Sequence, residues 1–106
     1  MSFKKMVRVV LFVFLLIFSS SAFADDKMDL GLEIYNNKAQ CGVCHVLQAA
    51  GSHGQIGPNL DLLKLSEERI IYTVVNGIGV MPSFEDTLTM EEIESVAYYV
   101  FNSTNN

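Results

Sequence analysis

Apolar and polar residues divide the chain into one apolar leader and three amphipathic stretches. Lys4, Lys5 and Arg8 precede an unbroken apolar run from Val9 to Phe18, followed by Ser19, Ser20 and Ser21 and then Ala22-Phe23-Ala24. A basic start, a short apolar stretch and a small-x-small close are the parts of a secretory signal peptide, here residues 1–24. Ten apolar residues fall short of the ~20 that a bilayer-spanning helix needs. Retention as a membrane anchor, with flanking residues extending the span, is the competing reading.

Beyond the leader the apolar spacing follows a helical period. The first pattern runs from Asp29 to Asn36, with Leu30 and Ile34 four apart and Gly31 and Tyr35 on the adjacent stripe. Asp25, Asp26 and Asp29 gather at its start, where acidic groups favour the helix dipole. The second runs from Glu67 to Val75, with Ser66 as cap and Asn76-Gly77 as stop. Ile71, Val74, Val75 and Ile78 form its stripe. In the third, Thr89 and Glu92 make a capping box, with Leu88 and Ile93 spaced as a hydrophobic staple. Ile93, Val96, Ala97, Val100 and Phe101 then give a complete one-sided stripe. The polar tail Asn102–Asn106 is expected to fray. No run alternates with period two, so no sheet is expected and the fold class is all-α.

The chain has 106 residues, half of them hydrophobic, and a formal charge of −5. Loss of the leader leaves 82 residues. Four of these are basic (Lys27, Lys38, Lys64, Arg69) and twelve acidic, so the charge becomes −8. Such a chain repels nucleic acid and anionic lipid, and is steered toward basic partner surfaces. Its size makes a hydrophobic core alone only marginally adequate. Two cysteines allow at most one disulfide. Something else is expected to fill the centre.

Cys41-Gly42-Val43-Cys44-His45 is C-x-x-C-H, a c-type haem attachment sequence. In a helical turn, positions i, i+3 and i+4 share one face. Both cysteines can then form thioethers with one macrocycle edge while His45 projects its imidazole toward the iron. Small Gly42 relieves crowding in the turn. Three other chemistries compete: a plain disulfide, a thioredoxin-like redox pair, and zinc. The redox pair needs a βαβ context that is not seen. Zinc needs more ligands, and His53 lies eight residues past His45, outside the usual spacing.

Haem iron takes two axial ligands, and a second protein ligand raises the potential and closes the site. Met28, Met81, Met90 and His53 are the candidates in the mature chain. Met81 stands in Asn76-Gly-Ile-Gly-Val-Met-Pro82, where Gly77 and Gly79 let backbone pass close to a flat ring and Pro82 stiffens the loop. Met90, at the first position of the capped helix, is expected to pack. Met28 lies in a loose N-terminal segment, with packing its expected role too. His53, between Gly51 and Gly54, is expected in an exposed surface loop. Met81 is the predicted ligand.

Taken together, these residues resemble the class I cytochromes c of the small soluble bacterial type, from Gly31 to Val100. The matching motifs are Gly31 with Tyr35, Cys41-x-x-Cys44-His45, Gly57-Pro58-Asn59-Leu60, Asn76-Gly77 with Met81-Pro82, and Val96-Ala97-Tyr98-Tyr99-Val100. The resemblance implies a cytochrome c fold, with helices wrapped around one covalently attached haem. It implies that the first and last helices cross at Gly31, beside Tyr35. It also implies that the Pro58 carbonyl accepts the second imidazole N–H of His45, fixing the ring and raising its basicity. Export agrees, because bacterial c-type haem is attached outside the cytoplasm. No residue clearly matches a haem-propionate partner, with Tyr72 and Gln55 the candidates. The lysine-rich docking face of mitochondrial relatives is absent.

The function these features predict is a secreted, periplasmic one-electron carrier with His45 and Met81 as axial ligands, and not an enzyme. Its partners are redox proteins with basic docking surfaces, with no stable membrane insertion once the leader is cleaved. A second reading is a small electron-accepting subunit of a periplasmic dehydrogenase, such as a sulfite- or alcohol-oxidising enzyme. A third is a haem enzyme or gas sensor, which requires Met81 to be off the iron.

Overall fold

The computed structural model describes residues 4, 5, 8 and 22–105. The leader's apolar run, and so most of the predicted signal peptide, lies outside the described residues. Among those described, no helix is long and apolar enough to cross a membrane.

Helix α1 covers residues 22–33 and runs directly into a π-helical turn, Ile34–Lys38. It therefore starts earlier than the sequence predicts, because the acidic residues placed ahead of the helix lie within it. Ile34 and Tyr35 are fully buried at its end, and Gly31 faces α4. A 3₁₀ turn, Cys41–Val43, follows at once.

Next comes a small antiparallel ribbon of β1 (Val46–Leu47) and β2 (Ser52–His53), paired Val46 to His53 and Leu47 to Ser52. The expectation of no sheet is corrected here. Strands of two residues are too short to show an alternating pattern. A 3₁₀ turn, Gln48–Ala50, joins them, and Gly51 closes that turn at φ 66°.

Helix α2 (Leu60–Leu63) is one turn long, too short for periodicity to reveal. Asn59 caps it by accepting the Asp61 N–H at 2.9 Å, and Lys64 ends it in a left-handed conformation at φ 48°. Helix α3 (Glu67–Asn76) has the predicted Ser66 cap, whose hydroxyl accepts the Arg69 N–H at 3.2 Å. Its buried face carries Ile70 and Val74, with Ile71 and Val75 half-buried and Ile78 exposed. The buried face lies N-terminal of the predicted stripe, because the chain leaves the helix at Gly77 and Ile78 is left in solvent.

Helix α4 (Met90–Thr104) opens on the predicted capping box. The Thr89 hydroxyl accepts the Glu92 N–H at 3.2 Å, and the Glu92 carboxylate accepts the Thr89 N–H at 2.9 Å. The staple residues Leu88 and Ile93 are both buried. The expected fraying from Asn102 does not occur. Helix continues to Thr104, which is buried and donates its hydroxyl to the Val100 carbonyl at 2.9 Å. Asn102 and Asn105 likewise donate side-chain N–H groups to the Tyr98 and Phe101 carbonyls.

Helix α4 packs against α3, α2 and the turn at the end of α1. Lys38 reaches from that turn to Glu92, with Nζ 2.7 Å from the carboxylate. This neighbour and the Thr89 N–H hold the Glu92 carboxyl below the usual carboxylate range, with the lysine hydrogen bond the larger cause. At Gly31 the helices meet so closely that a Cβ would collide with the Ser95 carbonyl oxygen and lie 2.5 Å from Tyr99 Cβ. The crossing implied by the resemblance is present.

Candidate functional site

The cysteine motif is shaped by its first carbonyl. Cys41 C=O accepts the N–H of Cys44 at 3.2 Å and of His45 at 3.0 Å, closing one tight turn that holds all three residues. Gln40 enters it at φ 51°, which reverses the chain straight out of the π-turn. Gly42 leaves room for Ser52, since a Cβ there would come within 2.7 Å of Ser52 Cβ. The crowding inferred from the sequence therefore has a definite source.

His45 is held at both ends. Its Nδ1 lies 2.7 Å from the Pro58 carbonyl oxygen. A carbonyl only accepts, so the Nδ1–H is the donor of this bond and Nε2 is left free of it. Gly57 lies flat on the ring, where a Cβ would sit 2.6 Å from Cε1 and 2.9 Å from Nδ1. The Gly57 N–H donates to the Cys44 carbonyl at 2.7 Å, tying this segment to the motif.

The backbone side is fixed by Ser52. Its hydroxyl donates to the His45 carbonyl at 2.9 Å and accepts the Leu47 N–H at 3.0 Å. Its single proton being used, the Tyr35 phenol must be the donor in the 2.8 Å bond between the two hydroxyls. Burial pushes the Tyr35 phenol up to about 12. Ser52 and the Tyr35 hydroxyl escaped the sequence reading, because a serine in a glycine-rich loop carries no pattern of its own.

Cys41 and Cys44 are free thiols, with no disulfide between them. Burial raises the Cys41 thiol to about 11. Among the described residues no group of three metal-binding side chains occurs, so zinc has no second ligand set here.

Met81 sits on the loop after α3, bridged to Ile78. It is half-buried, and both Met81 and Cys41 pack against the one hydrophobic core. Met28 also packs there. Met90 does not: it is 54% exposed, a correction to its expected packing, because the first helical residue points away from the stripe begun by Ile93. His53 is exposed, as expected, but in β2 rather than in a loop. Tyr72 and Gln55 are exposed too, with the Arg69 guanidinium 5.7 Å from the Tyr72 ring centre.

The residues fit a covalently held haem. Two free thiols share one turn with an imidazole whose Nε2 is free, and Gly57 leaves the ring uncrowded. The neighbours are apolar yet open to solvent: Val43 in the motif, Ile56 before Gly57, and Ile78 and Val80 flanking Met81 are between 63% and 86% exposed. Exposed apolar side chains in the motif and on the loop that carries Met81 suit a large flat hydrophobic group.

Comparison with known proteins agrees. A family model described as cytochrome c oxidase, cbb3-type, subunit III, matches residues 26–100. Cytochrome c6 of Nostoc sp. is 36% identical over 108 residues, covering 92% of this chain and 91% of the relative. The chain belongs to the class I c-type cytochromes. Chloroplastic cytochrome c6 of Chlamydomonas reinhardtii is 37% identical over 93 residues, or 78% of this chain, which spans 58% of that longer protein. The crystal structure of the c-type cytochrome SorU from Sinorhizobium meliloti superposes with a TM-score of 0.72 at 48% identity, covering 76% of this chain and 93% of that one. As a c-type cytochrome the protein carries haem covalently, and its C-x-x-C-H sequence is Cys41 to His45. It works in electron transfer.

Proposed function

We propose that this cytochrome is an exported, periplasmic one-electron carrier, with Cys41 and Cys44 as thioether attachments and His45 and Met81 as axial ligands. The observation that carries the reading is the His45–Pro58 bond, which fixes the tautomer and leaves one imidazole nitrogen to ligate. When bound, haem supplies the ferric/ferrous couple. The chain's part is to change as little as possible. Pro58 and Gly57 hold the imidazole in plane, Ser52 holds its backbone, and the Met81 loop is closed on α3. A site so constrained needs little rearrangement when the charge on the cofactor changes. No substrate pocket is required.

Visible spectra of the mature holoprotein, oxidised and reduced, with and without carbon monoxide, test this. A low-spin spectrum with a methionine–ferric band and no response to carbon monoxide is expected. Replacing Met81 by Ala should abolish the band and admit carbon monoxide. A high-spin wild type that binds carbon monoxide readily would instead make the protein a haem enzyme or sensor.

A further inference from the structure

We infer that Ser83 is a positioning residue for Met81, its hydroxyl latching the ligand loop to the open carbonyl end of α3; this rests on Met81 being the axial ligand. A helix leaves its last carbonyls without intrahelical donors. In α3 three of them are met in succession by the chain that follows. Thr73 C=O accepts the Gly77 N–H at 2.7 Å, Val74 C=O accepts the Phe84 N–H at 2.9 Å, and Val75 C=O accepts the Ser83 hydroxyl at 2.5 Å. The loop thus leaves the helix end at Gly77 and returns to it at Ser83.

The return is close. Gly77 has φ 72°, and a Cβ there would lie 2.7 Å from the Met81 carbonyl oxygen, 2.7 Å from Ser83 N and 2.8 Å from Pro82 C. Between these anchors Ile78 and Met81 exchange both backbone hydrogen bonds, at 3.1 and 2.9 Å. The Ser83 oxygen also accepts the Glu85 N–H at 3.3 Å. Every other hydrogen bond from the loop to this helix end is main chain and survives side-chain truncation. The Ser83 hydroxyl is the side-chain tether, two residues from Met81, and the one that a substitution can remove. Ser83 is exposed, so its loss opens no cavity and loosens the loop rather than the core.

The test is an imidazole titration of the ferric holoprotein, following loss of the methionine–ferric band in wild type, Ser83→Ala and Ser83→Thr. One hydrogen bond's net contribution corresponds to an imidazole affinity raised about three- to tenfold in Ser83→Ala. Ser83→Thr keeps the hydroxyl and should stay near wild type. Unchanged affinity in Ser83→Ala would overturn the inference, even if the unfolding midpoint fell, because the serine would then serve only the fold. Absence of the band in wild type would instead place the failure in the Met81 assignment.

Discussion

The Tyr35 phenol reports on the motif because its hydroxyl is bonded to the serine that holds the His45 carbonyl. It is fully buried, and burial raises it to about 12 from an ordinary 10. A raised phenol favours the folded state while the unfolded tyrosine is still protonated. That contribution is complete below about pH 10 and is lost as pH climbs toward 12. Unfolding midpoints should therefore decline across this window, and Tyr35→Phe should flatten the decline. The substitution also removes one hydrogen bond, so it should cost about 1 kcal/mol at neutral pH. Denaturant unfolding of both proteins at pH 7 and through the alkaline range checks both parts, and parallel pH profiles would sink the claim. At this scale the sequence was legible where a motif spoke: Cys41, Cys44, His45 and Gly42 are all on the turn that their spacing implied. Ser52 and Ser83 were not legible. Their roles depend on carbonyls brought near by distant turns, which no local pattern encodes.

Among the elements, α3 and α4 followed from capping and periodicity, since Ser66, Gly77, Thr89 and Glu92 satisfy helix ends by purely local bonds. The one-turn α2 and the two-residue strands escaped, being shorter than the period by which they would be recognised. The α1–α4 crossing lies between these cases: Gly31 hinted at it, and only the packed structure supplies the reason. Replacing Gly31 by Ala sets two effects against each other. Alanine favours a helix interior over glycine by roughly 1 kcal/mol. Its methyl, however, would strike the Ser95 carbonyl oxygen, which is backbone of a well-capped helix and cannot rotate aside. Overpacking of this kind costs typically ~1–3 kcal/mol. Because that oxygen is backbone, the clash should fall at the upper end of this range and win, giving a net loss of up to about 2 kcal/mol. Chemical denaturation of the holoprotein measures it. A neutral or stabilised Gly31→Ala would show that α1 can slide off α4 without penalty.

For the molecule as a whole, charge is the property with the longest reach. Without residues 1–24, twelve acidic side chains face four basic ones. Lys38 is engaged by Glu92, and Lys27 stands 4.8 Å from the Tyr98 ring centre. Neither charge is cancelled at a distance, but neither is free to build a basic docking face. The field around the protein is therefore negative, and it acts on a partner before any contact forms. Its range is set by salt: the Debye length is about 30 Å at 0.01 M and only ~3 Å at 1 M. Steering by such fields raises association rates by 10–10³-fold at low salt. The bimolecular rate of electron transfer to a basic redox protein should thus fall at least about tenfold between 0.01 and 0.5 M salt, while an acidic partner should show the opposite slope. Stopped-flow reduction at several ionic strengths measures this directly. A rate to the basic partner that ignores salt would mean that charge does not guide the encounter. The exposed apolar residues around Met81 would then have to do so, since their attraction is short-ranged and not weakened by salt.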